Sequence, residues 1–249
     1  MESIDGGILA AGRGERLRAQ GANLPKPLVV LDGETLLARQ TRILLEAGAR
    51  RVVAVVNSET AAVIERDAIS LPERLTVVVR DTPNSMETLF QLCEHLTSRW
   101  FLAATVDSVL GRGEMTRFAR RATALACANP AAPDSGVLGV VRWRGDERPL
   151  FVDVDGAGLI RKVGAAGGDT VTAGVYFLPQ SIIAFRDRAR QAGLSALRQF
   201  LAAVADWGVG LHAVALKEVI DIDVAQDLEA ARAMVEKPAL NIPRRSGSG

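Results

Sequence analysis

The chain has 249 residues, 48% of them hydrophobic, enough to bury a full core as one large α/β domain or two small ones. Its 30 lysines and arginines balance 29 aspartates and glutamates for a formal charge of +1, so no global field draws it to nucleic acid or an acidic membrane, and any anion site must be local. Apolar runs end well short of the roughly 20 residues a membrane helix needs, and Met1-Glu2-Ser3 lacks the basic flank of a signal peptide, which together point to the cytoplasm.

The first apolar run, "IDGGILAA" from Ile4 to Ala11, is short and continuous, as a strand buried on both faces should be. It enters "GRGERLRAQGANLPKPLVV", where Gly12 and Gly14 leave room for a phosphate to approach the backbone and Arg13, Arg16 and Arg18 add charge. A loop at the carboxyl edge of a parallel sheet sits where such folds bind ligands. A dinucleotide fingerprint needs a third glycine where Leu17 stands, and a P-loop needs Gly-Lys followed by Ser or Thr, which the chain lacks. The pattern left is a loop that wraps a nucleoside triphosphate and returns one lysine over the phosphates. Pro25 and Pro27 fix φ on either side of Lys26 and so restrict where its ammonium can go. Lysine recurs only at 162, 217 and 237, in a chain whose other basic residues are arginine; a solvated loop lysine is the plain alternative.

Strand-like and helix-like periods then alternate. "RVVAVV" (51–56), "LTVVV" (75–79) and "WFLAATV" (100–106) read as buried strands, and "TLLARQTRILLEAGA", "SETAAVIERDAI" and "NSMETLFQLCEHL" between them as amphipathic helices. This order predicts right-handed crossovers and a mostly parallel sheet with helices on both faces. Asp107 directly follows the fourth strand, at the same sheet edge as the glycine loop. Arg117, Arg120 and Arg121 recur at helical spacing and read as a solvated face. Cys93 and Cys127 stand in apolar helical contexts as buried reduced thiols.

Past residue 135 the rhythm changes. "SGVLGVVRW", "LFVDVDGAGLIRKV" and "DTVTAGVYFL" are predicted strands, with Asp155-Gly156 as a hairpin turn, forming an antiparallel extension of the same sheet. Helices over 179–190 and 194–205, a strand within "VGLHAVAL" and a last helix in "DVAQDLEAARAMV" follow. Residues 237–249 have no period and read as a flexible tail.

"LAAGRGERL…LPKPLV" resembles the signature of the nucleotidyltransferase superfamily, which includes sugar-1-phosphate nucleotidylyltransferases, phosphocholine, alditol-phosphate and inositol-phosphate cytidylyltransferases, and MobA-like guanylyltransferases of the molybdenum cofactor. The resemblance is strongest from Gly7 to about Val56 and returns at Asp107, over 172–178 and over 220–230. It implies a single Rossmann-like α/β domain over 1–236, with an NTP-binding half (1–134) and an acceptor-binding half (135–236). It also implies a reaction. A phosphate oxygen of a sugar-1-phosphate, or of an alcohol or choline phosphate, attacks the α-phosphorus of an NTP and pyrophosphate leaves, as in nucleotide-sugar biosynthesis.

Two anions must meet in that reaction, so charge neutralisation and alignment supply most of the catalysis. The resemblance implies a divalent metal, magnesium with manganese as its substitute, held by one or two carboxylates. Asp107 matches its first aspartate and Asp223 of "VIDIDVAQDL" its second; Asp221, two residues earlier in extended chain, points the same way. A cap for the last helix is the other reading of Asp223.

By the same resemblance, Arg16 contacts the β and γ phosphates and Lys26 the α-phosphate, with Arg13 in support and Arg18 solvated; Glu15 stands where the family often has threonine. The rest of the NTP site is carried onto Ala10, Ala11, Gly12 and Gly14, and onto Asn84 and Ser85 at the third helix, although Asn84 with Glu87 is also a capping box. This segment is nearer the cytidylyltransferase branch than the thymidylyltransferase one. Lys162 is the candidate for the acceptor phosphate and Thr172 and Gly174 for the pocket lining, while Tyr176 reads as core and His95 and His212 carry no role. The partners implied are an NTP and a phosphorylated small molecule, without nucleic acid or membrane, for a monomer or homodimer. The alternatives are a molybdenum-cofactor guanylyl- or cytidylyltransferase and a catalytically silent nucleotide-binding regulatory domain. Arg16, Lys26, Asp107 and Asp223 are all present, which weighs against silence.

Overall fold

A run in which nearly every residue is apolar belongs in the middle of a sheet, and in the computed structural model, which describes residues 3–21, 23–128, 134–145, 149–164 and 166–236, that is where the first strand lies. The first half reads β1 (Ile4–Ala10), α1 (Glu15–Ala19), a 3₁₀ turn (Lys26–Leu28), β2 (Val30–Leu31), β3 (Glu34–Thr35), α2 (Leu36–Glu46), β4 (Ala49–Val56), α3 (Ser58–Arg66), β5 (Leu75–Val79), α4 (Ser85–Cys93), β6 (Trp100–Thr105), β7 (Ser108–Leu110) and α5 (Glu114–Ala128). The second half reads β8 (Gly136–Arg142), β9 (Val152–Val154), β10 (Ile160–Val163), β11 (Thr170–Pro179), a 3₁₀ turn (Gln180–Phe185), α6 (Arg186–Gln191), α7 (Leu197–Asp206), β12 (Leu211–Ala215), β13 (Val219–Asp221) and α8 (Ala225–Glu236).

The central sheet has seven strands in the order β12-β8-β11-β6-β1-β4-β5. β1 pairs in parallel with β4 and β6, β4 with β5, and β12 with β8, while β11 runs antiparallel to both of its neighbours. The chain moves outward from β1 through β4 to β5, then returns to lay β6 on the other side of β1. That reversal opens a crevice past the carboxyl ends of β1 and β6, where doubly wound sheets hold their ligands.

Alternating side chains feed two cores. Ile8, Ala10, Val52, Ala54, Leu102 and Val175 face one layer with α2, α3, α5 and α8, whose Leu37, Leu44, Phe118, Ala231 and Met234 are buried there. Leu9, Val53, Val55, Phe101 and Leu138 face the other, under Leu89 and Phe90 of α4 and Phe200 and Leu201 of α7. Cys93 is buried in this second core, which pushes its thiol up to about 12 and makes it inert, as expected; the Cys127 side chain lies outside the described residues.

One expectation needs correction. β11 makes the expected antiparallel extension, but the hairpin around Asp155-Gly156 does not join the central sheet: β9 and β10 form a separate antiparallel pair, joined to it among the described residues by bridges from Phe151 to Val171 and from Leu159 to His212. Ile160 and Val163 turn inward to the α4–α7 core while Arg161 and Lys162 are exposed, so the pair acts as a cover over that core. The helix expected over 179–190 opens as a 3₁₀ turn over Gln180–Phe185 and becomes α-helical at Arg186. Two short pieces escaped the periodic reading altogether, α1 and the β2–β3 hairpin with left-handed Asp32 and Gly33 at its turn. The expected tail at 237–249 lies outside the described residues.

At the opposite edge of the sheet, Asp5 is fully buried and accepts from Arg50 Nε at 2.7 Å, Arg51 Nε at 3.2 Å and the Thr97 N–H at 2.8 Å. Burial alone would raise its pKa, but these donors outweigh it and hold the carboxyl far below the usual carboxylate range. A depressed pKa contributes stability above the group's unfolded value, and this is lost as pH falls through the folded one. Asp5→Asn is expected to cost about 2 kcal/mol at pH 7 in urea unfolding. The gap from wild type should narrow below about pH 4, where the unfolded carboxyl takes up its proton.

Candidate functional site

A cleft of about 710 Å³ opens at the crevice. Ala11 to Leu17 form one wall, Thr82 to Ser85 with Thr88 a second, and Thr105, Val106 and Asp107 the floor; Lys26 and Asp223 reach in from the side. Most residues proposed from sequence for the NTP therefore converge here: Ala11, Gly12, Arg13, Gly14, Arg16, Lys26, Asn84, Ser85, Asp107 and Asp223. Ala10 is buried at the end of β1, one residue below the wall.

The glycine loop is held by Asn57, which the sequence reading passed over. Its Oδ1 caps α3 by accepting from the Thr60 N–H at 2.8 Å, and its Nδ2 donates to the carbonyls of Ala11 at 3.3 Å and Gly12 at 3.4 Å. The signal that could have found it is its position as an Asn directly before the helix that starts at Ser58. Gly14, left-handed at φ +62°, turns the loop into α1, and a Cβ there would stand 3.1 Å from Lys26 Cβ. So the loop folds down onto the lysine.

Lys26 begins a 3₁₀ turn between buried Pro25 and Pro27, and its side chain is only 10% exposed. Nζ donates to Asp107 Oδ2 at 2.8 Å and to Asp223 Oδ1 at 2.9 Å. Burial disfavours the ammonium, yet Asp107 and then Asp223 outweigh it and lift its pKa above the ordinary lysine value, so it stays charged at neutral pH. Arg16 donates to the other oxygen of Asp223 at 3.2 Å. Arg18 turns away, and its Nη2 donates to both carboxylate oxygens of exposed Glu59, matching its solvated reading.

Asp223 is delivered by a small ladder. β13 pairs with β7 antiparallel, and the Ile222 N–H donates to the Asp107 carbonyl at 3.1 Å. The cap of α8 is supplied by others: Asp227 Oδ2 accepts from the N–H groups of Asp223 and Val224 at 2.8 Å each, and Gln20 Oε1 from Ala225 at 2.8 Å. The Asp223 carboxylate therefore faces the cations. Asp221 goes elsewhere, accepting from Ser108 Oγ at 2.5 Å, and it does not line the cleft.

On the second wall Asn84 Oδ1 caps α4 through the Glu87 N–H at 3.0 Å, but Glu87 completes no box and instead holds Arg190 at 2.7 Å. Ser85 Oγ accepts from the Leu197 N–H at 3.0 Å. Both residues thus have structural duties while lining the cleft. Thr82 and Thr88, joined by their hydroxyls at 2.6 Å, were missed because neither stands in a motif.

The acceptor candidates are not brought into this cleft. Lys162 is exposed on β10 and Thr172 donates its N–H to the Leu150 carbonyl at 3.1 Å. Gly174 sits in an irregular stretch of β11 and packs against Ser108 and Thr105. Tyr176 is buried, as expected, and burial raises its phenol pKa.

The family model for the MobA-like NTP transferase domain matches residues 6–176, more than half of the chain. No curated protein matches it in sequence. Among solved structures it is similar to the inositol-1-phosphate CTP transferase from T. maritima, at 20% identity and a TM-score of 0.74 over 94% of this chain and 96% of that one. It is similar also to the CTP:phosphocholine cytidylyltransferase from Streptococcus pneumoniae, at 19% identity and a TM-score of 0.71 over 93% and 98%. A protein described as a glucose-1-phosphate thymidylyltransferase from Bacillus anthracis superposes with a TM-score of 0.77 at 13% identity, over 95% and 97%. At these identities the likeness is one of fold.

Proposed function

The chain belongs to the MobA-like NTP transferase family, and from that premise we propose that it transfers a nucleotidyl group from an NTP to the phosphate of a small molecule, with release of pyrophosphate. The observation that carries this reading is the ammonium of Lys26 held between the carboxylates of Asp107 and Asp223 at the floor of a cleft walled by the glycine loop. The arrangement is a set of charges waiting for a polyanion.

The residues fit a divalent cation. Asp107 and Asp223 together already hold one cationic group, and among the described residues no cluster of three or more His, Cys, Asp or Glu side chains converges. Two carboxylates at a cleft edge, with phosphates and water completing the shell, suit magnesium rather than zinc. When bound there it would neutralise charge on the reacting phosphates.

The chain's own groups do the rest. Backbone at Gly12 and Gly14 admits the phosphates, and Arg13 and Arg16 offset the charge of the β and γ groups. A triphosphate entering the cleft competes with Asp107 and Asp223 for Lys26, whose ammonium then faces the α-phosphate where negative charge grows during attack. Arg16 is released from Asp223 by the same exchange. Asn84 and Ser85 border the space left for base and ribose.

The named activities of two structural neighbours favour CTP as the donor and an alcohol phosphate as the acceptor. A screen of four NTPs against sugar-1-phosphates, phosphocholine, glycerol phosphate and inositol phosphate, read by pyrophosphate release with magnesium, is expected to yield one productive pair. Asp107→Ala should lower that rate about a thousandfold while remaining folded. Equal rates in wild type and variant would overturn the mechanism. A second reading, guanylyl or cytidylyl transfer to a molybdenum cofactor, draws on the family's name, and productive turnover only with that acceptor would favour it. Among the described residues no helix is long and apolar enough to cross a membrane.

A further inference from the structure

A buried hydroxyl needs partners, and Ser108, fully buried directly after Asp107, has two. Its Oγ lies 2.6 Å from Thr105 Oγ1 and donates to Asp221 Oδ1 at 2.5 Å. The backbone around it is pinned as well: Gln40 Nε2 donates to the carbonyls of Thr105 at 3.1 Å and Ser108 at 2.7 Å. The segment carrying Asp107 is thus fixed from α2 below.

The segment carrying Asp223 is anchored on its far side by the cap of α8, so its spacing from Asp107 depends on the ladder. β7 and β13 pair over only three positions, Leu110 with Val219, Val109 with Ile220 and Ser108 with Asp221, and an isolated two-stranded ladder of that length is marginal. The Ser108–Asp221 side-chain bond clamps the last paired position, directly behind the Ile222 N–H bond to the Asp107 carbonyl. A hydrogen bond to a carboxylate is about twice as strong as a neutral one. It ties the residue after Asp107 to the residue two before Asp223.

We propose that Ser108 and Asp221 are positioning residues that set the separation of the Asp107 and Asp223 carboxylates, and that Asp221 acts through Ser108 rather than as a metal ligand. Gly174 supports this placement, since a side chain there would fill the space the two hydroxyls occupy. The catalytic consequence rests on the nucleotidyltransferase reading; the geometric claim does not.

Four variants separate the roles. Asp221→Asn keeps an oxygen that accepts from Ser108, whereas Asp221→Ala and Ser108→Ala each remove the bond. Mn²⁺ affinity in the presence of a non-hydrolysable NTP analogue, followed by electron paramagnetic resonance, is expected to weaken about tenfold in both alanine variants and in their double variant alike. Asp221→Asn should stay within about threefold of wild type, because the hydrogen bond survives. In the pyrophosphate assay the alanine variants should lose about thirtyfold in kcat with little change in KM for the NTP.

An Asp221→Asn protein as weak for Mn²⁺ as Asp221→Ala would make Asp221 a metal ligand and overturn the proposal. So would additive losses in the double variant. If an alanine variant does not fold, Asp221→Asn against wild type still decides. If wild type turns over no substrate pair, the Mn²⁺ comparison stands while the functional reading falls.

Discussion

Lys26→Ala is expected to release pyrophosphate about a thousandfold more slowly than wild type while remaining folded, because on the proposed function it removes the cation that faces the α-phosphate. The same change should have an opposite effect on metal binding. In the resting protein the ammonium sits on both carboxylates, so a divalent ion arriving without nucleotide must displace it. With the lysine gone, Asp107 and Asp223 are left to repel each other, and Mn²⁺ without nucleotide should bind more tightly to the variant than to wild type. Titration of both proteins with Mn²⁺ checks this. Lys26→Arg should rescue little, since a planar fork cannot take the place of a point charge held in a nearly closed space. The raised lysine pKa gives the linkage its sign: the stability contributed by the Lys26 ammonium is complete at neutral pH and is lost as pH rises through a value above the ordinary one for lysine. Turnover equal to wild type in Lys26→Ala would remove the lysine from the chemistry.

Gly174→Ala is expected to be the most destabilising single methyl addition near the site, at about 3 kcal/mol in urea unfolding. Gly174 is left-handed at φ +65°, and an alanine Cβ would overlap Ser108 Oγ and come within 2.6 Å of Thr105 Oγ1. The strand must straighten or the hydroxyls must move. Straightening works against the pairing of β11 with both β6 and β8; moving Ser108 breaks its bond to Asp221. The variant should therefore also bind Mn²⁺ and nucleotide less well than its loss of stability explains. A fully stable Gly174→Ala protein would show that this irregular stretch of β11 is slack.

The parallel half of the fold was legible because its strands are buried on both faces. Runs such as Val52 to Val56 leave no polar alternation to mistake for anything else, and the helices between them carry clear apolar stripes. The glycine loop and Asp107 could be placed together because each follows a buried strand, and Lys26 stood out by its flanking prolines and the motif around it. Short antiparallel pieces were harder. Three-residue strands such as β7 and β13 are made by pairing rather than by period, so the ladder that fixes Asp223 left no pattern to read. Period two put Asp221 and Asp223 on one side, but the chain leaves its extended course after Asp221, and the two carboxylates find different partners. Asn57 and Gln40 act through hydrogen bonds to carbonyls of distant loops, which no local spacing reveals.

The lysine between the two aspartates joins parts of the chain that are made at very different times. Asp107 follows Lys26 by 81 residues and Asp223 by 197. Synthesis at about 5–20 residues per second would leave a nascent chain for several seconds or more with the glycine wall, the lysine and one carboxylate in place but no second. During that interval the glycine wall and its arginines stand without the second carboxylate that Lys26 and Arg16 will hold. On the proposed function, competence waits for the docking of β13, which brings the second carboxylate to the lysine.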